Sequence, residues 1–272
     1  MSYRPKLIAT DLDGTICPHA APISLRTIKT LTRAHELGVK VFFVTGRPPR
    51  WMGQIKEAFN FGQAICSNGG ILWDLQNEKV IEEWRITPAD MRETIIRLRN
   101  AIPEIHFAFE NHGDFRREKN YVARWDLGVD VDGVDDILNY TENGAVKLLA
   151  RGSDKLFNSD EMLAVAMREV SDIVTVTHSN PWESLLEISA HNVSKGDTLA
   201  IICERLKIDR EDVVAFGDNP NDFSMLEFAG RSYIMSDGHP DGIKYATATA
   251  PPCEEDGVAQ VVEELLNLSP RP

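Results

Sequence analysis

The stretch Leu7-Ile8-Ala9-Thr10-Asp11-Leu12-Asp13-Gly14-Thr15 decides the fold, because an apolar run ends there in two aspartates and a glycine. Such a run is typical of a buried strand, and alternation along an extended chain places Asp11 and Asp13 on the same side. Gly14 allows the backbone to turn away. Two carboxylates so close repel each other unless a cation or a shared proton intervenes. The stretch indicates either a divalent metal site with one aspartate free to attack an electrophile, or an ordinary acidic turn after a core strand.

Strand and helix alternate after this first strand. The predicted elements are a helix that begins after Ser24 and ends at Gly38, a strand at 39–44, a helix at 49–59 and a short strand at 64–66. The strand at 39–44 is almost entirely apolar, which is typical of a parallel sheet covered on both faces. This repeated unit predicts a doubly wound, Rossmann-like α/β core.

The pattern changes between residues 85 and 189. A helix begins after Thr87, and the other predicted elements are strands at 105–110, 145–150, 173–178 and 184–188, a loop at 126–136 and a helix at 159–170. Because few of these strands alternate with helices, the segment predicts a separate α+β domain. The first pattern then resumes with a helix at 196–206, a strand at 213–216, a last strand at 231–235 and a terminal helix at 257–266. We therefore expect a core of residues 1–84 and 190–272, with residues 85–189 inserted as a cap.

Composition excludes several classes of function. The chain has 272 residues, with 42 acidic and 29 basic side chains and a net charge of −13, which opposes binding to nucleic acid or to an anionic membrane. None of the four cysteines forms a CxxC pair, and free thiols favour a reducing compartment. No apolar window approaches the length of a membrane span. We expect a cytoplasmic protein without nucleic-acid or membrane partners.

Polar residues follow three of the predicted strands. They are Asp11 and Asp13 after the first, Thr45-Gly46-Arg47 after the second, and Asp218 with Asp222 after the strand at 213–216. Ligands of open α/β sheets bind beyond the carboxyl ends of the strands. Taken singly, Thr45 is more typical of a helix cap, and Asp218 with Asp222 of an acidic turn. Together they suit Mg²⁺ and a bound phosphoryl group, which need carboxylates, a hydroxyl and an ammonium such as that of Lys195.

Four segments in this order resemble the motifs of the haloacid dehalogenase superfamily of phosphohydrolases. They are Asp11-Leu12-Asp13-Gly14-Thr15, Thr45-Gly46-Arg47, Ser194-Lys195-Gly196 and Gly217-Asp218-Asn219-Pro220-Asn221-Asp222. The position of the insertion resembles the C2-capped branch. Ser67-Asn68-Gly69-Gly70 and Leu186-Glu187-Ile188 resemble its Cof-type subgroup.

The resemblance implies a role for each matching residue. Asp11 would be the nucleophile that forms an aspartyl-phosphate and also a ligand of Mg²⁺, while Asp13 would exchange protons with the leaving group and water, its backbone carbonyl on the metal. Lys195 and Thr45 would hold phosphoryl oxygens. The remaining expected residues are Asp218 and Asp222 as metal ligands, the latter directly or through water, and Gly46, Arg47, Asn68 and Asn221 near substrate or phosphate.

The resemblance also ranks the candidate functions. An aspartate at position 13 favours a phosphatase acting on a small phosphorylated metabolite, such as a sugar phosphate or a phosphorylated cofactor, over dehalogenases and ion pumps. A sugar phosphomutase of the phosphomannomutase type keeps the same carboxylate and is the second candidate. A metabolite-binding member without turnover is the third. Neither the leaving group nor the oligomeric state follows from the sequence.

One basic stretch of the cap offers a second site for an anion. Its cations are Arg116, Arg117, Lys119 and Arg124, close to Trp125. They could meet an anionic or ring-bearing leaving group, but such a stretch is more typical of a solvated charged face.

Overall fold

The computed structural model of the protein describes residues 3–112, 114–124, 129 and 131–268. Its strands, in chain order, are β1 (Leu7–Thr10), β2 (Lys40–Val44), β3 (Gln63–Cys66), β4 (Ile71–Asp74), β5 (Lys79–Glu83), β6 (His106–Glu110), β7 (Phe115–Arg117), β8 (Lys147–Arg151), β9 (Val174–Thr177), β10 (Leu185–Ala190), β11 (Val213–Gly217), β12 (Arg231–Met235) and β13 (Ala248–Ala250). Its helices are α1 (Leu25–Glu36), α2 (Gly53–Ala58), α3 (Pro88–Ala101), α4 (Ser159–Val170), α5 (Lys195–Leu206), α6 (Phe223–Phe228) and α7 (Gly257–Leu266).

An eight-stranded sheet forms the core, in the order β13-β12-β11-β1-β2-β3-β4-β5. The strands from β13 to β3 run parallel, β4 pairs antiparallel with β3, and β5 pairs antiparallel with β4. The side chains of β1 alternate between two apolar layers. Ile8 packs in the layer that holds Leu31 of α1 and Val262 of α7, whereas Ala9 packs in the layer that holds Leu199 of α5. Helices on both faces of a parallel sheet make this a doubly wound core.

A second sheet has the order β7-β6-β8-β10-β9, and all of its strands are antiparallel. Apolar residues of α3 and α4, such as Leu98 and Met162, pack on one face together with Leu148 and Leu186. The other face carries a smaller apolar cluster with Phe115 among its members. The predicted α/β class, with an inserted α+β cap, is confirmed.

The structure departs from the predicted elements in several places. The predicted helix at 49–59 is divided into a short turn of 3₁₀ helix, Pro49–Trp51, and α2. The strand at 231–235 is not the last, because β13 pairs beside it. The core sheet also gains the hairpin β4-β5, which the sequence did not predict. Short edge strands of this kind depend on the neighbours they pair with more than on local propensity.

The predicted loop at 126–136 falls partly outside the described residues, which omit 126–128 and 130. Residues 131–136 form neither a helix nor an extended strand. Among the described helices, none has the length and apolar composition needed to cross a lipid bilayer.

Candidate active site

Three adjacent strands of the parallel sheet end at the same edge in polar side chains. Asp11 directly follows β1, Thr45 follows β2 and Asp218 follows β11. Because β11, β1 and β2 are neighbours and run parallel, their carboxyl ends meet at this edge. A cavity of about 400 Å³ lies there, and all three residues line it.

Lys195 reaches this edge from the first turn of α5, where Ser194 caps the helix by accepting a hydrogen bond from the N–H of Asp197. Its Nζ donates to Asp11 Oδ1 at 2.5 Å and to Asp222 Oδ1 at 2.6 Å. The lysine is fully buried. Burial opposes its charge, but the two carboxylates outweigh that effect and raise the pKa of Lys195. Lys195 therefore remains an ammonium ion fixed between two aspartates.

Asp11, Asp218 and Asp222 form a buried acidic cluster, in which one oxygen of each lies within 4.8 Å of the others. Burial and the charge of Asp222 raise the pKa of Asp11 to about 7, while Lys195 opposes the shift. Burial and the charge of Asp11 raise the pKa of Asp218 well above its ordinary value. Desolvated carboxylates at this spacing repel one another, and a nearby positive charge would reduce that repulsion. Their oxygen atoms are suitable ligands for a hard divalent cation. The cluster could hold a metal ion.

The backbone around the cluster fixes the position of its carboxylates. Asp222 Oδ2 accepts hydrogen bonds from the N–H groups of Asp218, at 3.0 Å, and Asn219, at 3.1 Å. These bonds fix the loop of residues 218–222, here called the acidic loop, to its own aspartate. Gly14 has a φ of +78°, and a Cβ added to it would lie 2.5 Å from Asp218 Oδ2. Any other residue at position 14 would therefore displace the Asp218 carboxylate. The carboxylate oxygens of Asp11, Asp218 and Asp222 fit a bound cation.

Asp13 lines the same cavity but does not join the acidic cluster. Its side chain is 53% exposed, and it is held by the guanidinium of Arg47, whose Nε donates to Asp13 Oδ2 at 2.8 Å. The Asp13 charge and hydrogen bond raise the pKa of Arg47 against the opposing effect of burial. The two aspartates of the opening motif thus have different cationic partners, Lys195 for Asp11 and Arg47 for Asp13.

The loop after β2 presents a hydroxyl and main-chain groups beside Asp11. Thr45 is fully buried, and its Oγ1 accepts the N–H of Arg47 at 3.1 Å. The carbonyl oxygen of Gly46 accepts a hydrogen bond from Lys147 Nζ at 3.0 Å. Lys147 begins strand β8, so the cap sheet contacts this loop directly.

A buried polar network joins the core to the cap. Asn68 adopts a positive φ of 54°, and its Nδ2 donates to Glu187 Oε2 at 2.5 Å. Its Oδ1 accepts a hydrogen bond from Asn221 Nδ2 at 3.1 Å. Glu187, on β10, also pairs with Lys147 at 2.5 Å and accepts from Ser179 Oγ at 2.5 Å. These contacts link the loop after β2 to the acidic loop by way of the cap.

The residues expected from the sequence occupy one region. Those that line the cavity are Asp11, Asp13, Thr45, Gly46, Arg47, Asp218 and Asn221. Asn68, Lys195 and Asp222 contact these or one another from behind. Sequence analysis did not assign Lys147, Glu187, Glu110 or Arg50 to the site. A signal was available for Glu187, because it is a charged residue inside the largely apolar strand β10, and a buried charge needs a partner.

The basic stretch of the cap lies elsewhere. Among the described residues, none of its four cations lines the cavity. Lys119 pairs with Asp135 and Arg124 with Asp154, while the Arg116 guanidinium lies 4.3 Å from the ring centre of Tyr140. Trp125 lies outside the described residues. The interpretation as a charged face apart from the site agrees with these contacts.

Comparison with known proteins gives consistent matches along the whole chain. A family model described as haloacid dehalogenase-like hydrolase matches residues 8–262. The 5-amino-6-(5-phospho-D-ribitylamino)uracil phosphatase YitU of Bacillus subtilis is 25% identical, over 98% of this chain and 100% of its own. The putative phosphatase YkrA of the same organism is 29% identical, over 96% and 97%. A solved structure from a study of haloalkanoate superfamily phosphatases, that of BT1666 from Bacteroides thetaiotaomicron, has a TM-score of 0.79 at 20% identity. The match covers 96% of this chain and 95% of BT1666. At this identity it supports the fold alone.

Proposed function

The chain belongs to the haloacid dehalogenase-like hydrolase family, and from this membership we propose that it is a Mg²⁺-dependent phosphatase that forms an aspartyl-phosphate on Asp11. It is a phosphoric monoester hydrolase, and its curated relatives include several named phosphatases. The proposed substrates are small phosphorylated metabolites, with sugar phosphates and phosphorylated cofactors as the classes to test. The observation that carries the proposal is the buried pair of Asp11 and Lys195 beside Asp218, at the floor of one cavity.

In the first step Asp11 attacks the phosphorus of the ester. Lys195 holds Oδ1 of Asp11, which leaves Oδ2 to form the new bond to phosphorus. The bond between phosphorus and the leaving oxygen breaks, and Asp13 donates the proton that this oxygen needs. For this step Asp13 is protonated, with one of its oxygens released from Arg47. The Thr45 hydroxyl and the Lys195 ammonium ion stabilise the negative charge on the remaining phosphoryl oxygens. Arg47 then stabilises the carboxylate that Asp13 has become.

In the second step Asp13 accepts a proton from water, and that water oxygen attacks phosphorus. The bond from Asp11 to phosphorus breaks, inorganic phosphate leaves, and both aspartates return to their starting states. Asp11 and Asp218 are proposed to hold Mg²⁺ directly, and Asp222 directly or through water, with the Asp13 backbone carbonyl as a further ligand. Bound there, Mg²⁺ would offset the charge of the acidic cluster and of the phosphoryl group.

The remaining residues have supporting roles in this proposal. Gly46 and Arg47 shape the phosphate side of the cavity. The hydrogen bond between Asn221 and Asn68 holds the acidic loop against the turn that follows β3. Residues 85–189 act as the cap, which contributes to the wall where the leaving group lies and limits the access of water. Residues 1–84 and 190–272 supply the reacting groups.

A phosphate-release screen tests the proposal. The purified protein is incubated with sugar phosphates, nucleoside monophosphates, pyridoxal phosphate and flavin mononucleotide, with Mg²⁺ or with EDTA. Release that depends on Mg²⁺ and is lost in Asp11→Asn supports it. Isomerisation of a hexose 1-phosphate in the presence of catalytic bisphosphate, without net release, would indicate the phosphomutase instead. A blank screen would contradict turnover and favour a binding protein.

A further inference from the structure

The cavity has two ends of different character. Asp11 and Asp218 form the reaction end, and the cap supplies most of the opposite end. Three glutamates face the cavity from the cap, namely Glu110, Glu183 and Glu187. Three apolar side chains lie among them: Phe115, Leu149 and Leu185.

Each glutamate at the cap end is already paired with a cation. Glu110 pairs with Arg50 at 2.6 Å, Glu183 with Arg151 at 2.8 Å, and Glu187 with Lys147 at 2.5 Å. Most of these side chains are buried, with exposed fractions of 5% for Glu110 and 8% for Lys147. Removing one partner from a buried pair is strongly unfavourable, because a desolvated charge is left behind. An anion that entered the cavity could pair with one of these cations only by displacing its glutamate, which would be unfavourable in free energy.

Carboxylates outnumber lysine and arginine side chains among the residues that line the cavity. Six carboxylates line it, those of Asp11, Asp13, Glu110, Glu183, Glu187 and Asp218. The lysine and arginine residues among the described lining are Arg47, Arg50 and Lys147, and each is paired with one of these carboxylates. The basic stretch at Arg116 to Arg124 does not reach this lining. At the cap end a negatively charged leaving group would therefore face carboxylates whose cations are already paired, and it would form no compensating ion pair there.

We infer that the cap selects an uncharged, hydroxylated leaving group and rejects leaving groups that carry a carboxylate or a second phosphate. Carboxylate oxygens of Glu110 and Glu183 accept hydrogen bonds from hydroxyl groups, and the Asn180 side chain offers both a donor and an acceptor. The apolar patch of Phe115, Leu149 and Leu185 covers the carbon skeleton. Arg50–Glu110 and Arg151–Glu183 are then the pairs that determine specificity. The inference rests on the proposed phosphatase function and narrows its substrates by charge.

Two matched pairs of esters test the selection. Sorbitol 6-phosphate is compared with 6-phosphogluconate, and glycerol 1-phosphate with 3-phosphoglycerate, since the members of each pair are open chains that differ by one carboxylate. We expect kcat/KM to be at least about tenfold higher for the uncharged member of each pair. Equal or faster hydrolysis of the carboxylated members overturns the inference and leaves the proposed function standing.

A simple aryl ester, p-nitrophenyl phosphate, separates a failure of the inferred selection from a failure of the proposed function. If it is hydrolysed with Mg²⁺ but none of the hydroxylated esters is, the inference is wrong and the proposed function stands. If neither it nor any ester in the screen is hydrolysed, the proposed function fails and the inference fails with it.

The substitution Glu110→Gln tests the named residue. It keeps the size and hydrogen-bonding capacity of the side chain but removes the negative charge opposite Arg50, so the preference against 6-phosphogluconate should narrow by roughly tenfold. Glu183→Gln makes the same change at a less buried position, 17% exposed, and serves if the first variant does not fold. Glu82→Gln removes the partner of Arg205 on the outer surface and should leave the preference unchanged. An unchanged preference in both cavity variants overturns the inference.

Discussion

The Arg47 guanidinium binds both carboxylate oxygens of Asp13, with Nη2 donating to Oδ1 and Nε donating to Oδ2 at 2.8 Å. Asp11 is held instead by the Lys195 ammonium ion. Two acidic groups separated by one residue can therefore do different chemistry, because each is fixed by its own cation.

Replacing Arg47 should lower activity more than stability. In Arg47→Met, Asp13 loses its orienting partner, and we expect kcat/KM to fall by about 10²-fold, the usual scale for a misplaced catalytic group. The pair is partly exposed, so the free energy of unfolding should change by less than about 1 kcal/mol. Arg33→Met breaks the exposed pair with Glu36 and should change neither quantity. Wild-type kinetics in Arg47→Met would show that Arg47 does not orient Asp13 for catalysis.

Replacing Asp11 should abolish turnover and preserve the fold. Asp11→Asn removes the attacking oxygen, and we expect phosphate release to fall at least about 10³-fold. The near-ultraviolet circular dichroism spectrum should match that of the wild type. Asp172→Asn, at an exposed partner of Arg97, is the matched control and should keep full activity. Substantial release by Asp11→Asn would show that another group is the nucleophile.

Replacing Lys195 should destabilise the metal-free protein. Lys195→Met leaves the buried carboxylates of Asp11 and Asp222 without their ammonium partner, which should cost about 3–5 kcal/mol in urea unfolding. Adding Mg²⁺ should restore part of the loss. Lys244→Met removes an exposed pair with Asp241 and should cost little. A loss for Lys195→Met no greater than for Lys244→Met would contradict the buried pairing.

Stabilisation by Mg²⁺ should increase with pH. Burial and Asp222 raise the pKa of Asp11 to about 7 from an ordinary value of 3.8, so between these values the folded, metal-free protein holds a proton that the unfolded chain has lost. The stability contributed by this group is present at low pH and is lost as pH rises towards 7. Because Mg²⁺ competes with that proton, the rise in Tm on adding Mg²⁺ should be larger near pH 8 than near pH 6. The difference between the two pH values should shrink in Asp11→Asn.

Two glycines with positive φ allow backbone strain to be distinguished from a steric clash with the Asp218 carboxylate at the proposed metal site. Gly14 has a φ of +78° and Gly38 a φ of +87°, but a Cβ would meet Asp218 only at Gly14. Gly14→Ala and Gly38→Ala should each lose about 1 kcal/mol or more of stability. Only Gly14→Ala should weaken Mg²⁺ binding, measured by calorimetry. Equal Mg²⁺ affinity in the two variants would place the ion away from Asp218.

Sequence analysis anticipated the parts of the fold that local chemistry determines. The helix cap at Ser24, the buried strands and the order of the four motifs follow from side-chain type and spacing, and all appear in the structure. The hairpin β4-β5 and the strand β13 did not follow, because they are short edge elements whose stability comes from pairing with β3 and β12.

The contacts of the site were harder to anticipate than its members. Nothing local to Asn68 indicates that its partners are Glu187 and Asn221, at sequence separations of 119 and 153 residues. The same holds for Arg50 and Glu110, which approach one another only because the antiparallel sheet of the cap faces the core. Such pairs depend on how two domains meet, and a single sequence carries little information about that.

The central place of β1 in the core sheet has a consequence for how the chain folds during synthesis. One neighbour, β2, follows soon after it, but the other, β11, begins only at Val213. At ribosomal rates the strand that carries Asp11 would wait some tens of seconds for that second neighbour. All strands of the cap sheet lie between His106 and Ala190, so this sheet is synthesised in full before β11. A nascent chain can therefore complete its cap while the catalytic sheet is still open at its centre.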